Sequence, residues 1–433
     1  MAKTMAVEPG SHFLAGKSIC VIGGGIAGLA FAVGFHKHWH HACKPPKVTV
    51  YDRDSPDPAR WRQAESYTVS ISGYSDAGGL LALQQLCLVD QVLAHAVTGL
   101  QGSGCFKIWG PGWREYLSVR RRPLGGLPTA SIRIARKDLR TVLARSVESC
   151  ENSSVVWHSY CSGVEKLASG RMRVHFQCRG SSSQVDCDLV IAADGASSEV
   201  RAALRPADRL EYVGAVLRGG LARFPDGVPE PVCQNWGFIT SSGVSCFLSP
   251  VDRNTVLWAV GHNQDQPARE LSRSSTRQEQ QAVIEEGARL GSPFREPFPT
   301  MVRLTDAQTA MCINGRDKAP FCHDDVAEVP VVYIGDSNHP MSPFAGFGAN
   351  LALSDARDLA QQLSGAHGSI EEAVRAYDGV SEPRARRVWL GSRRSLNRGH
   401  DTGWRHWSFL VLLVVGSWMA WLVAKLRKMA RLG

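Results

Sequence analysis

Three glycines, at 23, 25 and 28, lie in the run GGGIAGLA, and Asp52 follows 24 residues after the last of them. These residue types at this spacing suit the polar parts of a dinucleotide. Glycine at 23 permits a tight turn, glycine at 25 lets a pyrophosphate approach the backbone, and glycine at 28 lets helix and strand pack closely. Phosphate charge would then meet a helix N-terminus, where free N–H groups point outward. An acid at 52 can accept hydrogen bonds from both hydroxyls of an adenosine ribose.

The elements needed to hold those groups are legible on either side. SICVI, residues 18 to 22, predicts a short buried strand, LAFAVGF a helix, and KVTVYDRD a second strand that ends on Asp52. Farther along, CDLVIAADGASSEVR (187 to 201) runs an apolar strand into Asp194-Gly195, and VPVVYI runs into Gly335-Asp336. Three strand ends distant in sequence could converge on one ligand. The last opens GDSNHPMSPFAGFGANLAL, in which Pro340 and Pro343 stiffen a turn. Backbone N–H groups from Gly346 through Gly348 to Asn350 then enter a helix, where they can stabilise negative charge.

Composition bounds the rest. A chain of 433 residues that is 44% hydrophobic and 21% charged can bury a large core in more than one unit. The net charge of +9 belongs to one end: residues 384 to 433 hold 11 Lys/Arg against Asp401 alone, which leaves about −1 for everything before them. The globular part therefore has no basic stripe for nucleic acid. Twelve cysteines show no CxxC pair and no zinc spacing, which favours reduced thiols, and no secretory signal opens the chain. HKHWHH, at 36 to 41, has metal-capable side chains but falls where the first helix should end, so no metal is expected.

Taken together, GGGIAGLA, VYDRD, IRIARKDLRTVL with Arg136 and Leu139, ADGASSEVR, GDSNHPMSPFAGFGANLAL and IEEAVRAYD carry a resemblance. Over residues 17 to 380 the sequence resembles the FAD-dependent aromatic hydroxylases of the para-hydroxybenzoate hydroxylase type. Within them it is most similar to tetracycline-inactivating and secondary-metabolism monooxygenases. The resemblance implies an α/β fold. A Rossmann-like FAD-binding domain (17–90, 131–208, 301–362) is interleaved with an antiparallel-sheet substrate domain (91–130, 209–300), followed by a helical segment at 363–400. It implies FAD contacts from Asp336 to the ribitol, from the loop Pro343–Asn350 along the isoalloxazine ring, from Arg136 to the ribose or phosphate region, and from Arg53 at the adenosine end. Asp194 would shape the phosphate and nicotinamide side.

The implied reaction is insertion of one oxygen atom from O2 through a flavin C4a-hydroperoxide. NADPH or NADH would act as a transient co-substrate, since the chain has no second GxGxxG. No general base for a phenol stands out, and His339 next to the flavin loop has an equally good structural reading. Phe238 and Trp258 stand near positions where the tetracycline-inactivating relatives carry an arginine and a histidine. A lipophilic aromatic, polyketide-derived or prenylated small molecule is therefore expected rather than tetracycline. Epoxidation, Baeyer-Villiger insertion and a non-catalytic FAD-binding partner remain open readings.

WSFLVLLVVGSWMAWLVA, residues 407 to 424, has no formal charge, and Trp404, Trp407, Lys425, Arg427, Lys428 and Arg431 flank it as interface anchors would. The expectation is a membrane anchor helix at 404–424 that holds a cytosolic catalytic domain at a bilayer.

Overall fold

The structure, a computed structural model, describes residues 12–61, 67–100, 104–178, 180–272, 274–342 and 346–429, of which 417 and 420–429 are described in backbone only. Strand Ser18–Ile22 is apolar along both faces, with Ile19 through Ile22 all buried, the pattern of a strand covered on two sides. It sits third in a five-stranded parallel sheet whose order is Val331–Tyr333, Leu189–Ala192, Ser18–Ile22, Lys47–Tyr51 and Ser153–Val156. Helix Ile26–His38 covers one face and packs on helix Gly348–Leu363. A Cβ at Gly34 would lie 3.1 Å from Cβ of Ala360, so this glycine lets the two helices approach. A meander of Ser159–Lys166, Met172–Cys178 and Ser181–Cys187 covers the other face, burying Phe176, Val174 and Met172 against Cys20, Ile22 and Val190.

The second layer is a seven-stranded sheet in the order Met311–Asp317, Glu211–Arg223, Thr255–Asn263, Val244–Pro250, Trp236–Ser241, Phe106–Trp109 and Glu115–Val119. Its pairings are antiparallel except for the parallel join of Trp236–Ser241 to Phe106–Trp109. Strand Met311–Asp317 belongs to it, so this sheet runs past residue 300. Helices Arg277–Leu290 and Phe298–Arg303 cover its outer face. A small sheet of Thr68–Ser72, Ser131–Ala135 and Ala96–Thr98 lies between the two layers and carries residues that bond to both. The helix Ile370–Gly399 closes the fold, with Pro383 inside it.

The C-terminal reading is corrected. Among the described residues no helix is long and apolar enough to cross a membrane, which overturns both the anchor expected at 404–424 and the membrane-anchored placement of the enzyme. Helix Gly403–Met429 packs against strand Glu115–Val119 and buries Leu410.

Candidate functional site

The three expected strand ends do meet. The N–H of Gly23 donates to the Tyr51 carbonyl (2.8 Å), that of Ala193 to Ile22 (2.8 Å) and that of Ile334 to Ala192 (3.0 Å), so the carboxyl ends of four adjacent strands form one rim. On this rim the three glycines have separate duties. Gly23 has φ +103°, and a Cβ there would lie 2.3 Å from the Ala193 carbonyl oxygen. A Cβ at Gly28 would lie 2.0 Å from the Gly23 carbonyl oxygen. At Gly25 a Cβ would meet nothing within 4 Å, and the backbone (φ −80°) suits any residue. Space is therefore kept beside Gly25, at a helix N-terminus with no side-chain cap and no acid in its first turn. A diphosphate fits there.

Asp52 is buried and already engaged. Its Oδ2 accepts from the Gly24 N–H (2.6 Å), and its Oδ1 accepts from the Asp54 N–H (2.8 Å) and from Nη2 of Arg140 (2.9 Å). Arg140 also donates to the Gly24 carbonyl (2.7 Å) and to Asp54 Oδ2 (2.7 Å), and its guanidinium lies 4.1 Å from the Trp61 ring centroid. Arg140 thus fixes the glycine turn and the acid to each other. Sequence reasoning missed it, although it stands one helical turn beyond Arg136. Arg53 is exposed and turned out of this network.

Asp336 lies in a single helical turn, Gly335–Ser337, directly after Ile334. A Cβ at Gly348 would be 3.8 Å from its Oδ1, so the start of helix Gly348–Leu363 faces this carboxylate. Burial raises the Asp336 pKa; His339 and Arg136 pull it back, and Asp355 pushes it further up. Asp355 braces the turn from below. It accepts from the Gly335 N–H (3.0 Å), His339 Nε2 (2.6 Å), Ser381 Oγ (2.8 Å) and Arg384 Nη2 (3.0 Å). Burial works against its ionisation, but His339 and Arg384 hold its pKa well below the usual carboxylate range.

Asp194 keeps Oδ1 buried with no hydrogen-bond partner among the described residues while Oδ2 accepts from the Val200 N–H (3.2 Å), and burial raises its pKa. Arg201 links that loop to the Asp336 turn by donating to the carbonyls of Ala196 and Ser337. Asn350 ties the start of helix Gly348–Leu363 to the small sheet. Its Oδ1 accepts from Ser72 N–H (2.8 Å) and Gly79 N–H (3.0 Å), and its Nδ2 donates to the Ser70 carbonyl (2.8 Å). The side-chain oxygen of Asn350 and one of its two amide N–H groups are thereby engaged in structure. Gly346 has φ +64°, and a Cβ there would meet nothing within 4 Å among the described residues. Pro343 lies outside the described residues.

The two expected substrate residues part company. Directly paired residues share a sheet face, and Phe238 pairs with Phe247, which pairs with Ala259; Trp258 pairs with Leu248 on the opposite face. Trp258 is wholly buried among the helices, with its ring against Phe298 and its Nε1 donating to Thr305 Oγ1 (2.8 Å). That corrects its reading as a substrate contact. Phe238 instead joins Phe106 and Phe247 in an aromatic strip, with centroids 6.0 and 5.2 Å apart, on the face toward the small sheet. A cavity of about 590 Å³ lined by His262, Arg289, His400 and Arg405 opens at one end of the sheet and includes none of these residues.

Residues 316–389, which contain the Asp336 turn and the helix after it, match the FAD binding domain family. The chain is 38% identical to monooxygenase cfoF of Aspergillus candidus over 396 residues, 90% of this chain and 93% of that one. It is 27% identical to 3-amino-4-hydroxybenzoate 2-monooxygenase of Streptomyces cremeus, with 88% and 87% covered. HpxO of Klebsiella pneumoniae, solved with FAD and uric acid, superposes with a TM-score of 0.69 at 20% identity over 93% and 94% of the two chains. The rim of strand ends, the space kept at Gly25 and the extent of the 38% match lead to one statement: the chain belongs to the FAD-dependent monooxygenases of the aromatic-hydroxylase type.

Proposed function

We propose that the enzyme uses NADPH or NADH to insert one oxygen atom of O2 into a hydrophobic aromatic or polyketide-derived substrate that lies along Phe106, Phe238 and Phe247. The aromatic strip carries this reading, because a flat apolar ring gains most by stacking on such a surface. The relation to the 3-amino-4-hydroxybenzoate 2-monooxygenase of Streptomyces cremeus supports an aromatic substrate class.

Gly23, Gly25 and Gly28 would hold the pyrophosphate, Asp52 the adenosine ribose, Asp336 and Arg136 the middle of FAD, and the backbone of Gly346, Gly348 and Asn350 its ring, with Asp194 on the nicotinamide side. When bound, FAD supplies hydride acceptance and dioxygen activation. The protein orients the substrate and excludes water with the seven-stranded sheet. The N-terminus of helix Gly348–Leu363 offers positive potential to charge that develops on the ring. One dinucleotide fold implies that the nicotinamide nucleotide binds, delivers its hydride and leaves.

The test is NADPH and NADH oxidation by the FAD-loaded protein with a panel of phenols and polyketide-type aromatics, with products read by mass spectrometry. The reading expects at least one substrate to accelerate oxidation and to gain one oxygen from labelled O2. Hydrogen peroxide as the sole oxygen product across the panel would overturn it.

A further inference from the structure

On the helix-covered side of the seven-stranded sheet, away from the aromatic strip, strand Thr255–Asn263 runs out at His262. Trp258, Val260 and His262 alternate onto this one face, and His262 pairs directly with Val244. Its side chain is half-buried, and its Nδ1 is enclosed with no hydrogen-bond partner among the described residues. Buried ring nitrogens are normally satisfied, so an orphaned one has room for a partner from outside. His262 borders the cavity of about 590 Å³ that opens between this strand, the C-terminal end of helix Arg277–Leu290 and the junction of helices Ile370–Gly399 and Gly403–Met429. That junction is pinned over the sheet: the Gly243 N–H donates to the Asp401 carbonyl (3.0 Å), and Ser245 Oγ and His400 Nε2 share a hydrogen bond (3.2 Å).

The charges on the cavity wall balance while His262 is neutral. Arg289 reaches the wall already forked onto Glu286, with 2.7 Å to each carboxylate oxygen. Asp401 opposes Arg405, whose guanidinium is exposed, lies 5.9 Å from the Trp404 ring centroid and forms no ion pair among the described residues. Beside His262, on strand Glu211–Arg223, buried Arg218 donates through Nη2 to Gln264 Oε1 (3.0 Å) and keeps Nη1 enclosed with no hydrogen-bond partner among the described residues. Burial lowers the His262 pKa, Arg218 and Arg289 add to this, and Glu286 pulls the other way. His400 is a different case: burial takes its pKa down to about 4, and it serves as a neutral prop for the junction. Protonation of His262 would therefore tip the wall to net positive charge. Leu290, Pro293 and Val244 give the same cavity an apolar side.

We propose that this cavity is a second ligand site, separate from the flavin site, for a small organic phosphate or sulfate ester, and that the oxyanion enters together with a proton taken up by His262. A tetrahedral oxyanion accepts several hydrogen bonds, and the Arg405 guanidinium, a protonated His262 and the N–H groups that Arg289 does not spend on Glu286 can supply them. Leu290 and Pro293 would take the organic body. A ligand held there bridges the substrate sheet and the junction of the last two helices. An anion facing an imidazole raises its pKa, so by linkage the affinity rises as pH falls through the histidine range.

The experiment titrates the FAD-loaded protein with butyl sulfate by calorimetry at about pH 6 and about pH 8, on either side of the histidine range, in buffers of different ionisation enthalpy. Butan-1-ol is the neutral control. Butyl sulfate keeps its charge at both pH values, so any proton taken up belongs to the protein. Wild type is expected to bind the ester about tenfold more tightly at the lower pH, with proton uptake, and to ignore the alcohol. His262→Gln should bind with neither pH dependence nor proton uptake. Arg405→Gln, an exposed change that leaves the fold intact, should lose about tenfold at both pH values and keep the proton uptake. Failure of wild type to bind butyl sulfate overturns the proposal, and so does binding without proton uptake. Uptake that persists in His262→Gln, or wild-type affinity in Arg405→Gln, does the same; the second decides the matter even if His262→Gln fails to fold. Loss of binding in the presence of excess NADP+ would assign the anion to the dinucleotide region and overturn it as well.

Discussion

Alanine at Gly25 and alanine at Gly28 are nearly the same change in sequence, yet the structure assigns them opposite consequences. At Gly28 the added methyl would lie 2.0 Å from the Gly23 carbonyl oxygen, well inside the 3.4 Å or so of an ordinary contact, and the obstacle is backbone. Relief needs more than an ångström of movement between the first strand and helix Ile26–His38, both of them in the main core. Overpacking of this kind costs about 3 kcal/mol or more. At Gly25 the methyl meets no protein atom, and φ −80° is open to alanine, so the apoprotein should change by less than about 1 kcal/mol. The methyl there occupies the space of a diphosphate instead. Loss of two charge-assisted N–H contacts at about 1.5–3 kcal/mol each predicts FAD affinity weaker by roughly a hundredfold to ten-thousandfold. Urea denaturation of both apoproteins and fluorescence titration with FAD measure the two effects separately. The reasoning is refuted if Gly25→Ala retains wild-type FAD affinity, or if Gly28→Ala leaves apoprotein stability unchanged.

Arg140→Met should cost about 3–5 kcal/mol in urea denaturation, because it leaves Asp52 and Asp54 without their cation; a loss under 1 kcal/mol would show the network to be ornamental. Asp336 has a raised pKa, so its ionisation destabilises the folded apoprotein as pH rises above the ordinary carboxylate value near 4. Asp336→Asn should therefore make the apoprotein more stable at pH 7, with the gain fading below about pH 4, while FAD binds more weakly; melting curves against pH that show a less stable variant at pH 7 would contradict this. Trp258→Phe should lower stability by about 1–3 kcal/mol and leave the Kd of an aromatic ligand alone, whereas Phe238→Ala should do the reverse. Equal effects of the two on binding would place both on one surface.

Much of the flavin side could be read before the structure because local chemistry dictates it. A glycine whose Cβ would strike a backbone atom a turn away, or an acid that must end a strand, carries its reason within a few residues, as Gly28 and Asp336 do. The strands of the second layer were legible, but their faces were not. Trp258 and Phe238 stand in adjacent-looking apolar runs, and only the cross-strand register assigns one to the helices and the other to the aromatic strip. The C-terminal apolar run was misread for a related reason: composition alone does not tell how much of a helix packs on the Glu115–Val119 strand. Arg140, Arg201, Asp355 and Arg384 were invisible because the value of a charge depends on its partners, and each of these has one 26 or more residues away.

Those partners also separate scaffold from site. Asp355 and Asp358 are each matched to Arg384, and their role ends with holding a turn or a helix in place. Asp336, Asp194 and Arg133 are charged groups in largely enclosed settings that the protein itself leaves incompletely answered: two carboxyls with raised pKa and one guanidinium held only by neutral oxygens. A fold with many arginines could have paired both carboxyls, and its acids could have paired the guanidinium. That it pairs Asp355 and Asp358 and leaves Asp336 and Asp194 incompletely answered on the rim follows if the partners of these two arrive with FAD, and functional sites are where departures from internal consistency are expected.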